Sequence, residues 1–181
     1  MERERLVIMI EMAVMAALSV ILGLVKVNFF WAFGGSISLE MVPIILIAIR
    51  RGWKVGLGAG LIAALIDLIT GGTYQVPLQV IMDYILPATL LGLAGVFITK
   101  GQLPKISSVI YGIILASSLR LLSYFISGVV WFGIYAPEGW NVALYSFVYN
   151  ISHVFPEMLL TMAIMVLLIK KAPQVFKVRR L

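Results

Sequence analysis

The chain of 181 residues carries a net charge of +6, contains no cysteine and is 62% hydrophobic, with a mean hydropathy of +1.07. Such a chain must lie mostly in a bilayer, and the lack of cysteine excludes disulfides, thiolate catalysis and cysteine-ligated metals. Nor is the positive charge a nucleic-acid footprint, because the basic residues fall between and after apolar runs, where they set membrane topology.

At about 20 residues per span plus short loops, the length accommodates about six helices in one unit, residues 1–181, an all-α membrane protein. Helix 1 is predicted from Leu6 to Val25. It contains Glu11 and has no small-residue cleavage motif after it, so it reads as an uncleaved helix rather than a signal peptide. Helix 2, Ser38 to Ile49, is short, and Glu40 near its start reads as stabilising its N-terminus. Helix 3, Lys54 to Ile69, carries Gly56, Gly58 and Gly60 as a smooth face for close packing. Asp67 near its end reads as a cap of the following loop. Helix 4 runs from Pro77 to Thr99 and helix 5 from Ile106 to Ile126. Helix 6 runs from Tyr145 to Ile169. Pro87 and Pro156 fall inside helices 4 and 6, where each removes a backbone hydrogen bond that neighbours must replace.

Every Lys and Arg except Lys26 and Arg120 falls at one end of this pattern: before helix 1, between helices 2 and 3, between helices 4 and 5, and after helix 6. The positive-inside rule makes that end cytoplasmic, with both termini inside. The outer connections are then residues 26–37, 70–76 and 127–144. The last is long and rich in aromatic residues, and reads as a lid or interfacial segment, with Trp140, like Trp31 of the first connection, as an anchor.

The polar residues that interrupt the apolar runs carry the functional signal. Asp67, Asp83, Arg120, Asn150 and His153 all fall in the outer half, and a charge at bilayer depth costs roughly 2.5–3.5 kcal/mol on insertion scales. Tyr74, Tyr84, Tyr124, Phe132, Tyr145 and Tyr149 fall beside them. Acid plus aromatic rings in a membrane protein predicts a pocket, open to the outside, for a small cationic ring-shaped ligand. Gln79 and Asp83 share a helix face. Asp83 reads as a ligand contact, with an ion pair to Arg120 as the structural alternative. Tyr145, Tyr149, Asn150 and His153 recur at helical spacing. Of these, Tyr145 and Asn150 read as site residues, Asn150 because it can both donate and accept, whereas His153 reads as part of an interfacial belt. Glu157, after Pro156, reads as a partner for freed backbone groups. Ala13 and Ala17 form a small-xxx-small pair on helix 1 that suits either internal packing or a close helix partner. The sequence has no Walker A loop, so it cannot hydrolyse ATP itself. It also lacks HExxH, GxSxG and GxGD motifs and any inverted repeat, which disfavours an enzyme or a self-sufficient secondary transporter.

Four segments carry a resemblance: "EMAVMAALSVIL" on helix 1, "MVPIILIAIRRGWKVGLGAGLI" across helices 2 and 3, "TYQVPLQVIMDYILPATLLGLAG" on helix 4 and "SYFISGVVWFGIYAPEGWNVALYSFVYN" from helix 5 into helix 6. Over essentially its whole length the chain resembles the thiamine-specific S-components of energy-coupling-factor (ECF) vitamin transporters. The resemblance implies a six-helix, multi-pass plasma-membrane protein that captures extracellular thiamine without chemistry or cofactor. It also implies a coupling module of one transmembrane subunit and two ATPases. Laid on matching positions, it implies that Asp83 and Tyr84 hold the aminopyrimidine end and that Tyr74 stacks on the ligand. Gly128, Phe132, Tyr145 and Asn150 form a wall, and Ala13 and Ala17 match the family's AxxxA docking surface. The chain departs from the family pattern in having Asp83 where Glu is frequent, Tyr124 where His is typical, and Phe132 where Trp can stand. Gly34 aligns near a family Trp, with Trp31 or Phe33 as substitutes. A thiamine precursor or another vitamin is the alternative ligand, and a self-contained transporter the alternative mechanism.

Overall fold

The computed structural model describes residues 2–28, 30–31, 35–71, 76–99 and 103–177. Helix α1 spans Glu2–Leu24, α2 Met41–Arg51 and α3 Trp53–Gly71. Helix α4 spans Pro77–Gly95, α5 Ile106–Trp131 and α6 Val142–Lys171. All but α2 are long and apolar enough to cross a membrane. The predicted helices are all present. Each begins or ends within a few residues of its expected limit, except that helix 5 continues five residues further, through Ser127–Trp131, as the apolar run there stays helical.

The long outer connection shrinks accordingly. After α5 the chain makes one tight 3₁₀ turn, Gly133–Tyr135. Asn141 then starts α6, its side-chain oxygen accepting from the Ala143 N–H at 2.8 Å and the Leu144 N–H at 3.3 Å. Trp140 is exposed. In the first connection, Val27 and Ile37 exchange backbone hydrogen bonds of 3.0 and 2.9 Å as one antiparallel bridge. Among the described residues there is no longer strand.

Helix α2 is only 11 residues long, about 16 Å at 1.5 Å per residue, too short for a bilayer of about 30 Å. It is instead the centre of the bundle: Met41 and Pro43 through Ile49 are all buried. Its basic end is clamped. Arg51 donates to Glu11 of α1 at 2.6 and 2.8 Å, and Arg50 donates to Glu11 at 3.1 Å and to the Val175 carbonyl at 2.8 Å. Val175 lies in a 3₁₀ turn, Pro173–Phe176, which returns Phe176 to the core.

At the same basic end, glycines set the distance between α2, α3, α4 and α5. A Cβ on Gly92 would stand 2.1 Å from the Leu57 nitrogen, and one on Gly60 would stand 2.2 Å from the Ala88 oxygen. A Cβ on Gly112 would meet the Ala94 oxygen at 2.1 Å. Backbone therefore lies on backbone, which maximises dispersion contacts where lipid offers no hydrophobic drive between helices. Gly56 and Gly60 belong to the predicted smooth face. Gly58 instead faces α1, where a Cβ would meet the Met12 sulfur at 2.6 Å.

Candidate ligand cavity

At the opposite end the helices separate around a cavity of about 700 Å³, within the roughly 300–1,000 Å³ usual for small-molecule sites. Its walls come from the ends of α1, α3 and α5 and the starts of α4 and α6. This is the end remote from the basic connections, and hence the outer one by the charge rule. Asp83, Tyr84, Tyr124, Gly128, Phe132, Tyr145 and Asn150 all line it. Seven sequence-predicted positions, six from α4, α5 and α6 and Phe132 from the residue that follows α5, thus share one space. Tyr74, Phe33 and Gly34 lie outside the described residues. Asp67 is exposed and lines the mouth beside Lys26.

One wall is aromatic. Tyr145, Tyr149 and His153 recur every four residues along α6 and so fall on one stripe. Ring centroids are 6.0 Å apart for Tyr145–Tyr149 and 5.9 Å for Tyr149–His153. Tyr124 of α5 joins the stripe at 5.9 Å from His153. His153 is therefore no interfacial belt residue: it is 5% exposed and lines the cavity. The four-residue spacing shared with the two tyrosines was the available signal. Trp31 is also more than an anchor. Its indole N–H donates to Ser152 at 2.8 Å, and its ring stands edge-on to His153 at 6.0 Å. The first connection is thereby tied to α6, where Gly35 leaves room for both rings; a Cβ there would come within 2.9 Å of His153.

Gly128 allows α5 and α6 to meet, since a Cβ would lie 2.2 Å from the Ser146 hydroxyl. Asn150, 7% exposed, spends its amide N–H groups on this seam, donating to the Ser146 carbonyl at 2.9 Å and the Tyr124 carbonyl at 3.3 Å. What it has left for a ligand is an acceptor, Oδ1, which His153 Nε2 approaches at 3.4 Å. The predicted donor role of Asn150 is therefore structural.

The floor is an ion cluster. Arg120 pairs with Glu40, not with Asp83, and faces Glu157 at 3.6 Å; its guanidinium carbon also stands 5.3 Å from the Tyr124 ring centre. Glu40 thus serves Arg120 rather than the N-terminus of α2, with which its side chain makes no capping bond. Glu157, 1% exposed, accepts from the Ser38 hydroxyl at 2.9 Å and the Ser38 N–H at 3.3 Å, not from backbone freed by Pro156. These partners lie 80 and 119 residues apart in the chain, so no local spacing announced them. With Arg120 occupied elsewhere, Asp83 keeps Gln79 and Ser127 as its polar neighbours. Among the described residues, the cavity lining then carries three carboxylates, Glu40, Asp67 and Asp83, against two cations, Lys26 and Arg120. Acid excess plus aromatic faces suits a ligand that is both cationic and ring-shaped.

On the outside of the bundle, Ala13 and Ala17 are exposed, while Ala16 and Ser19 of the same helix are buried. Of the two readings of the alanine pair, internal packing therefore belongs to Ala16.

Comparisons with known proteins agree with this picture. Residues 9–177 match the model of a family described as thiamine transporter protein. The chain is 37% identical over 188 residues to the thiamine transporter ThiT of Bacillus subtilis strain 168, covering 97% of each. It is 31% identical over 187 residues to the thiamine transporter ThiT of Lacticaseibacillus paracasei ATCC 334, covering 97% of this chain and 92% of that one. A solved structure of ThiT from Listeria monocytogenes superposes with a TM-score of 0.88 at 32% identity, covering 97% of this chain and 100% of that one.

Proposed function

Because the chain belongs to the thiamine transporter family, we propose that the outer cavity captures extracellular thiamine. The observation that carries this reading is the convergence of Asp83 and Tyr84 with the Tyr145–Tyr149–His153 stripe in one acid-rich space. The two ends of thiamine differ in what they require. The aminopyrimidine offers an amine donor and ring nitrogens, and Asp83 receives that donor by a charge-assisted hydrogen bond. The thiazolium carries a fixed positive charge, which aromatic faces attract by about 0.5–2 kcal/mol per good contact. No step is chemical: the cavity binds, and the ligand leaves unchanged. Tyr74 belongs to the same reading as a stacking residue from the connection before α4.

Transport needs energy, and the sequence contains no Walker A loop. The protein acts as the substrate-binding S-component of an ECF-type complex, in which a membrane coupling subunit and two ATPases supply the work. The exposed Ala13 and Ala17 give α1 a face that another helix can approach closely. Mass spectrometry of small molecules extracted from the purified, detergent-solubilised protein tests the ligand: thiamine is expected, and a different vitamin or a thiamine precursor would replace it. Ala13→Trp tests the docking face. Thiamine affinity of the isolated protein stays within about threefold, since no cavity group is touched, while uptake into cells collapses. Unimpaired uptake would remove α1 as the docking face.

A further inference from the structure

Asp83 and Tyr84 do not sit on ordinary α-helix. They lie in a wide π-helical turn, Ile81–Ile85, in which hydrogen bonds reach five residues back: the Leu86 N–H bonds the Ile81 carbonyl. Single π turns of this kind occur frequently at functional sites, and the cause here is one residue further on. Pro87 has no N–H, and in an α-helix its ring clashes with the carbonyl four residues earlier, that of Asp83. Opening the turn by one residue relieves the clash. Continuing the same five-residue pattern then assigns the Met82 carbonyl to residue 87, which has no hydrogen to give. In a bilayer an unpaired carbonyl costs several kcal/mol, so it must find a donor elsewhere. That donor is Ser123 on α5. Its hydroxyl, 3% exposed, donates to the Met82 oxygen at 2.7 Å. Ser123 is not part of the cavity lining. It stands behind the wall, on the carbonyl of the residue immediately before the acid–tyrosine pair.

We propose that Ser123 is a positioning residue for ligand binding: it replaces the hydrogen bond that Pro87 removes, holds the π turn open, and so aims Asp83 and Tyr84 into the cavity together. This inference rests on the thiamine reading of the cavity. It makes binding depend on a side chain that touches no ligand, through one backbone carbonyl.

The test is a double-mutant cycle on thiamine affinity, by titration calorimetry of the full-length protein in detergent, with melting temperature as the control for folding. Ser123→Ala is expected to weaken thiamine binding about tenfold, the scale set by one lost hydrogen bond and the misalignment that follows. Ser123→Thr keeps the hydroxyl and stays within about threefold of the unaltered protein. Made in an Asp83→Asn background, Ser123→Ala adds less than about twofold, because the group it aims has already lost its charge. If Ser123→Ala leaves affinity unchanged, or weakens it equally in both backgrounds, Ser123 merely packs and the inference falls. Failure of the unaltered protein to bind thiamine would instead sink the ligand assignment, and is read first, before any variant.

Discussion

The two halves of this bundle are built by opposite rules. In the basic half, backbone lies on backbone: Gly92, Gly60 and Gly112 leave no room for a Cβ, and α2 is buried on every side. In the outer half the same helices part around about 700 Å³ and face one another with ionisable and aromatic side chains. Between the halves lies the Arg120 cluster, joining the start of α2 to α5 and α6. A dry, close-packed base fixes where the helices begin to diverge, so the cavity walls are set by contacts that never meet the ligand. The contrast predicts that substitutions in the base and at the seam cost stability, whereas substitutions on the walls cost affinity.

The largest effect is expected at the seam. Arg120→Met leaves Glu40 and Glu157 without their shared cation, and removing one partner of a buried pair costs about 3–5 kcal/mol. Melting of the purified protein should drop sharply, and a melting point unchanged within error would show that the cluster is ornamental. Next comes the base. Gly92→Leu forces a side chain against the Leu57 backbone, which cannot rotate away, for a loss of about 3 kcal/mol. The paired control is Gly71→Leu at the outer end of α3, where a Cβ meets nothing within 4 Å, with a change inside about 0.5 kcal/mol. Equal effects at the two glycines would erase the distinction between the halves. Smaller, and on a different axis, is Asp83→Asn: about 1.5–3 kcal/mol lost in thiamine binding, with melting in the absence of ligand unchanged. The reverse pattern would place Asp83 with the scaffold.

Much of this organisation is legible in the sequence because it is local. Apolar run lengths mark the helices, and the positions of Lys and Arg separate the two ends. Glycine spacing marked part of the packing face in α3. The polar interruptions mark the end at which the helices part, and Asp83, Tyr84, Tyr145 and Asn150 share the cavity there. What escaped is what depends on distant partners. An ion pair with Asp83 is the structural alternative the sequence offers Arg120, but its partners, Glu40 and Glu157, come from the start of α2 and from α6. Only the approach of α2 to both helices makes those pairs. His153 reads as a belt residue in the sequence because a ring at a helix end fits either role until the neighbouring helix is placed. Pro87 and its lost hydrogen bond are plain in the sequence, but the direction of the response, a widened turn capped from α5, follows from where Ser123 lies in space.

Titrating thiamine into the purified protein, unaltered and as Asp83→Asn, asks whether the outer cavity is a thiamine site with Asp83 as its acid. Saturable binding of one thiamine per chain is expected, accompanied by a rise in melting temperature, since a ligand at 100 times its Kd stabilises by about 2.7 kcal/mol. Affinity in the variant is expected to be at least about tenfold weaker. No heat of binding and no thermal shift in the unaltered protein would rule out thiamine as the ligand, and equal affinity in the two would rule out Asp83 as the acid.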